Sequence, residues 1–263
     1  MSSSAIPSTQ PECASSRQPD STTPAGPGVY IHIPFCSAIC PYCDFSVLTG
    51  GPAARESFVQ ALLAEVELWS GSDWGTFDTL YFGGGTPSAL ASEQLRRLLA
   101  GLRRHLPVSP EAWIFLEANP EDVTAQSLAA WRDLGVRTLS LGVQSFQAPA
   151  LGFLGRRHGP EQAVASVRLA LAAGFSTVSV DLIYGLPGQT PEIWAQDLET
   201  ALSLGPQHLS CYQLTVHEGT PFGFRHRRGQ LAELPEEEQA ELFFLTHQRR
   251  LPAKECADGP RPR

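Results

Sequence analysis

From residue 29 onward the spacing of apolar positions switches repeatedly between two periods. Val29-Tyr30-Ile31-His32-Ile33 is β-branched and aromatic, which predicts a strand. Residues 56–69 then place Phe58, Leu62, Val66 and Trp69 at helical spacing. The alternation continues to residue 247. Further strands are predicted over 79–82, 113–116, 137–143, 177–183 and 208–215. A helix opens at Ser92 with Leu95, Leu98, Leu99 and Leu102 on one face, and Thr124 caps another that ends at Gly135. Helices over 160–173 and 191–204 are stopped by Gly174 and Gly205, and an amphipathic helix spans 235–247.

Six strand–helix units in series imply a parallel sheet, because each parallel crossover needs a helix. An open doubly wound sheet and a fully or partly closed barrel both satisfy that series. The strand ends favour the barrel. Gly83-Gly84-Gly85, Glu117, Gln144, Asp181 and Gln213 recur about one unit apart, each where a strand gives way to its loop. Parallel strands bring those ends to one face, and a barrel gathers its site there. An open sheet concentrates its site at one switch point instead. The expectation is an α/β fold, a partial (βα)6 TIM-barrel-like core over residues 28–248.

Composition narrows the picture. Of 263 residues, 42% are apolar and 17% charged, a globular balance. The net charge of -8 excludes the basic stripe of a general nucleic-acid binder. Residues 1–27 are rich in Ser, Thr and Pro, and a disordered leader is expected there. The N-terminus has no apolar segment behind a basic one, and no run of 18 uncharged apolar residues occurs, so a cytoplasmic location is expected.

Three of the six cysteines, Cys36, Cys40 and Cys43, form a C-x3-C-x2-C pattern. Clustered thiols without an export signal point to metal ligation. Cys13, Cys211 and Cys256 make no second pair, as a structural zinc site would usually require. Three soft thiolates suit a four-iron cluster with one iron left open. The alternative is zinc with His32 as fourth ligand. Gly83-Gly84-Gly85-Thr86-Pro87 follows a strand and precedes a helix, so a ligand can approach its backbone closely or it can be an ordinary turn. Glu117 and Asp181 end apolar strands, where a carboxylate needs a bound cation or a structural Arg as partner. Arg156 and Arg157 can supply one.

Together these segments resemble the radical S-adenosylmethionine superfamily, in the branch of oxygen-independent coproporphyrinogen III oxidases and heme chaperones. Its most specific pieces here are Tyr30-Ile31-His32-Ile33-Pro34-Phe35-Cys36, Gly83-Gly84-Gly85-Thr86-Pro87, Leu141-Gly142-Val143-Gln144-Ser145-Phe146 and Asp181-Leu182-Ile183-Tyr184-Gly185-Leu186-Pro187. The resemblance implies that Cys36, Cys40 and Cys43 hold a [4Fe-4S] cluster whose open iron takes S-adenosylmethionine. It implies that Tyr30, Gly84, Gly85, Thr86 and Glu117 line the methionine end. Tyr42, Gln144, Arg156 and Asp181 are expected to contact the nucleoside or a second ligand.

The oxidases carry a fourth cysteine where this chain has Phe45, and the Cys-Asp-Phe ending resembles the heme chaperones. The implied function is therefore heme binding and transfer to an acceptor protein. The alternatives are oxidative decarboxylation of coproporphyrinogen III, or an inactive cluster-binding protein. His32, His158, His208 and His217 are candidates for heme iron, and each also reads as an ordinary solvated or core histidine. The family pattern fades near Gln248, and residues 249–263 read as an irregular tail in place of the family's C-terminal domain, as a truncated or frame-shifted product would show.

Overall fold

A computed structural model describes residues 26–249. The leader and tail expectations fall almost wholly outside the described residues. Within them the chain runs β1 (Gly28–Ile33), β2 (Phe35–Cys36), β3 (Leu48–Thr49), α1 (Pro52–Leu68), β4 (Phe77–Gly84), α2 (Ser92–His105), β5 (Val108–Ala118) and α3 (Ala125–Asp133). It continues through β6 (Val136–Gln144), α4 (Ala148–Phe153), α5 (Pro160–Ala172), β7 (Thr177–Tyr184), α6 (Pro191–Leu204), β8 (His208–Gln213), α7 (Pro221–Arg227) and α8 (Glu236–Gln248). The six predicted strands are all present and pair in parallel in the order β1-β4-β5-β6-β7-β8.

Local chemistry explains the helix limits. Thr124 accepts a hydrogen bond from the Ser127 amide at 3.0 Å, and the Ser127 hydroxyl accepts one from the Thr124 amide at 2.9 Å. These two bonds satisfy donors left free at the start of α3. Thr190 caps α6 with Pro191 at its first position, and Gly205 ends it at φ 73°. An L side chain rarely adopts that conformation.

The two faces of the sheet are chemically different. Outward residues such as Ile31, Leu80, Leu116, Leu139 and Val180 are buried against Val59, Leu98, Trp131, Val167 and Trp194 of the helices. Burying side chains of this size stabilises by about 1.5–3 kcal/mol each. The opposite face carries Tyr81, Phe115, Glu117, Ser140 and Asp181, none of which belongs to that core. Helices therefore pack one face only, unlike a doubly wound fold. The tips of β4, β5, β6, β7 and β8 contribute Gly84, Glu117, Gln144, Asp181 and Tyr212 to one cavity. A flat sheet could not bring five successive strands to one cavity, so the sheet curves as a partial barrel. β1 and β8 are its open edges among the described residues.

A smaller apolar cluster closes the cavity end. Leu154, Ile183, Leu186, Leu214 and Phe222 pack together, with Tyr42 and Phe153 against them. This cluster holds α4 and α7, which the strand–helix alternation did not foretell.

Candidate cofactor site

The segment bearing the three cysteines is closed at its base by the short β2–β3 pairing, Phe35 with Leu48 and Cys36 with Thr49. The Leu48 amide also donates to the Pro34 carbonyl at 2.8 Å. The Phe35 ring anchors the base edge-on against Phe58 of α1, with centroids 5.4 Å apart. Farther along, the Cys43 amide donates to Cys40 at 3.1 Å, and the Phe222 amide to Pro41 at 2.9 Å. The cysteine segment is thus tied to the barrel at both ends.

Cys36, Cys40 and Cys43 are unpaired thiols, each half-buried, and all three line one cavity of about 390 Å³. Sites for small molecules commonly have volumes in this range. Thr86 donates its hydroxyl to Cys36 Sγ at 3.5 Å, and the Asn119 amide donates to that hydroxyl at 3.2 Å. Arg156 reaches Cys40 Sγ at 3.5 Å, Asn119 Oδ1 at 2.6 Å and the Gly142 carbonyl at 2.8 Å. Its buried Nε has no hydrogen-bond partner among the described residues. Burial pushes the Cys36 and Cys43 thiols above their ordinary pKa.

The wall opposite is acidic. Glu117 accepts from the Tyr81 hydroxyl at 2.7 Å and from the Gly84 amide at 3.1 Å. Gly84 has φ 114°, and a Cβ there would lie 2.6 Å from His32 Nδ1. Only glycine fits where the amide must turn toward the carboxylate. Asp181 accepts from Ser140 at 3.0 Å through each carboxylate oxygen. Burial pushes both carboxyls above the usual range, although those hydrogen bonds pull the other way. Among the described residues no Lys or Arg hydrogen-bonds Glu117 or Asp181, and both acids line the cavity.

The cavity brings together Cys36, Cys40, Cys43, Tyr42, Gly84, Gly85, Thr86, Glu117, Gln144, Arg156 and Asp181, all singled out in the sequence. Tyr30 is set apart. It is 58% exposed, and its ring stacks on Tyr81 at 5.7 Å without lining the cavity. It adjoins the site through Tyr81, which bonds Glu117, and through His32 at 3.4 Å, which abuts Gly84. Among the described residues no three His, Cys, Asp or Glu side chains converge on a position for a single ion. His32 instead turns Nε2 to the Ser46 carbonyl at 2.9 Å. His208 contacts Ser179 at 2.9 Å, His158 is buried, and of the four histidines His217 lines the cavity, 3.3 Å from Asp44.

The donor set fits the implied groups. Three soft thiols line one side for an iron–sulfur cluster. The Arg156 guanidinium and the Glu117 and Asp181 carboxyls line the rest, complementary to a ligand carrying carboxylate, ammonium and sulfonium charges. A Cβ at Gly85 would come within 3.0 Å of Cys36 Sγ, so the glycine leaves room beside that thiol. Sequence reasoning missed Asn119, Tyr212 and Leu214, which also line the cavity. Asn119 lies two residues beyond Glu117, but only folding shows that it bridges Thr86 and Arg156.

Comparison with known proteins agrees with this geometry. The Radical SAM superfamily family matches residues 30–201. A protein named heme chaperone HemW from Mycobacterium tuberculosis is 39% identical over 84% of this chain and 58% of its own length. The heme chaperone HemW of Escherichia coli is 42% identical over 75% of this chain and 53% of its own. The chain thus spans little more than half the length of these curated relatives. Among solved structures, the coproporphyrinogen III oxidase HemN of Escherichia coli, described as a Radical SAM enzyme, superimposes with TM-score 0.72 at 27% identity. That match covers 84% of this chain and 51% of the other. No described helix is long and apolar enough to cross a membrane. Three thiols beside a glycine-lined cavity at the strand ends of a partial barrel, with a family match over most of the described residues, establish that the chain belongs to the Radical SAM superfamily.

Proposed function

We propose that this chain is the core of a heme chaperone of the HemW kind, holding a [4Fe-4S] cluster through Cys36, Cys40 and Cys43 and binding S-adenosylmethionine and heme. The observation that carries this reading is the convergence of the three thiols with Thr86, Glu117, Gln144, Arg156 and Asp181 on one cavity. When bound, the cluster and its sulfonium ligand supply one-electron chemistry. The chain's own part is placement. Arg156 offers a fixed positive charge beside Cys40, while Glu117 and Asp181 offer acceptors for a cationic ligand. Heme as cargo, and an acceptor protein to receive it, are supported by the names of the curated relatives. Phe45, 63% exposed at the cavity rim, supports the chaperone reading over oxidation of coproporphyrinogen, since it stands where a fourth cysteine is expected in the oxidases.

The test is heme titration of the anaerobically reconstituted chain, followed by absorption difference spectra and a parallel assay for vinyl formation from coproporphyrinogen III. Saturable heme binding without vinyl product agrees with the proposal. Vinyl product would move the chain to the oxidases, and absence of heme binding would remove the chaperone reading.

A further inference from the structure

The cavity is shaped at one point by a strained residue. Gln144 has φ 71°, the one positive φ among the described non-glycine residues. A side chain held there costs about 1–3 kcal/mol, so its surroundings must impose the conformation. The pairing of β6 with β7 shows how. Leu141 pairs with Val180, but the next pair is Gln144 with Leu182, so β6 carries one extra residue. That bulge frees the Gly142 and Val143 carbonyls from regular pairing.

Two side chains from one turn capture them. Arg156 donates to the Gly142 carbonyl at 2.8 Å, and His158 Nε2 to the Val143 carbonyl at 3.0 Å. On the other side of Gln144, the Ser145 hydroxyl and Phe146 amide donate to buried Asp197 at 2.7 and 2.8 Å. Gln144 is therefore clamped before and after. The His158 side chain is wholly buried, and its Nδ1 faces Glu121 Oε2 at 3.4 Å. Neither atom has another hydrogen-bond partner among the described residues. The ring therefore sits between two oxygens, the Val143 carbonyl at Nε2 and the Glu121 carboxylate against Nδ1.

We propose that His158, oriented by Glu121, is a positioning residue that holds Gln144 in its left-handed conformation and thereby shapes the cavity for a nucleoside-bearing sulfonium ligand. The ligand class rests on the reading above; the clamp itself rests on geometry alone. His158 acts through Val143 and Gln144 and is placed at no ligand atom. Arg156 emerges from the same turn, so loosening the turn also loosens the guanidinium beside Cys40.

The test uses the full chain in wild-type form and as His158→Ala, His158→Gln and Glu121→Gln. Glutamine at 158 keeps a donor at the reach of Nε2. Hydrogen–deuterium exchange of the unliganded chains should show faster exchange confined to residues 142–147 in His158→Ala, with protection restored in His158→Gln and intermediate in Glu121→Gln. After reconstitution, iron content should match wild type, while S-adenosylmethionine binding in His158→Ala weakens by about tenfold or more and recovers in His158→Gln. Wild-type exchange and affinity in His158→Ala would overturn the proposal. So would faster exchange across the whole sheet without rescue by Gln, which would mark His158 as a general core residue. If wild type holds iron but takes no S-adenosylmethionine, the ligand reading fails while the exchange pattern still decides the clamp.

Discussion

The two faces of the one sheet obey different physics. The outer face is a continuous apolar layer in which Leu80, Leu139, Val180 and Trp194 have at most trace exposure. Its stability comes from area removed from water and tight packing, and apolar side chains of similar volume are tolerated best there. The inner face and the strand tips carry Glu117, Asp181 and Gln144, and the turn between α4 and α5 adds Arg156, each half-buried and lining one cavity. The charged groups are costly to bury, and Glu117, Asp181 and Arg156 are held by hydrogen bonds. The outer layer makes the barrel stable, and the inner one spends part of that stability on a charged site.

Truncations should separate the two. The largest stability loss is expected for Trp194→Ala, which empties a fully buried position and removes the indole bond to Thr246. A loss of about 3–5 kcal/mol should appear as a lower denaturant midpoint. Asp197→Ala comes next, at about 1–3 kcal/mol, because it strands the buried Ser145 hydroxyl and Phe146 amide. Cys40→Ser should remove iron uptake while leaving the midpoint of the unliganded chain within about 0.5–1 kcal/mol of wild type, since the thiol is half-buried and outside both apolar cores.

Glu117→Gln sharpens the contrast through pH. Burial holds the Glu117 and Asp181 carboxyls above the usual range. The folded chain therefore keeps their protons to higher pH than the unfolded chain does. Stability contributed by these groups is greatest at acid pH and falls as pH rises from about 4 through the raised values. Removing Glu117 should flatten that decline in midpoints measured across the window. Replacing an outer-face leucine should shift every midpoint without changing the slope. The smallest effect is expected for Tyr30→Phe, within about 0.5 kcal/mol. Its hydroxyl is exposed, 3.4 Å from His32, and outside the cavity lining.

The same division explains what could be read from sequence. The outer face announces itself as alternating or helical apolar spacing, so all six strands and their helices were legible. The strand-tip residues were legible because polar groups interrupt apolar runs in phase. The bulge at Gly142 and Val143 was not, because register is a property of two strands, β6 and β7, that are separate in sequence. Nor was the clamp. His158 reads in sequence as one more histidine, and only the fold shows that its ring reaches the carbonyl before Gln144. Tyr30 illustrates the reverse. It sits in a recognisable motif, yet its ring lies outside the cavity lining, stacked on Tyr81. The short α4 and α7 lacked the length for a helical period, and they are held by the second apolar cluster.

The central claim is that the three thiols and the acidic wall form one site, with a metal cluster at one end and its small-molecule ligand at the other. It is tested most directly by anaerobic reconstitution with iron and sulfide, followed by EPR of the reduced chain with and without S-adenosylmethionine. The account predicts iron and sulfide bound in the ratio of a [4Fe-4S] cluster and a signal that shifts when the ligand is added. Soluble, folded chain that holds no iron, or a cluster whose spectrum ignores the ligand, would contradict it.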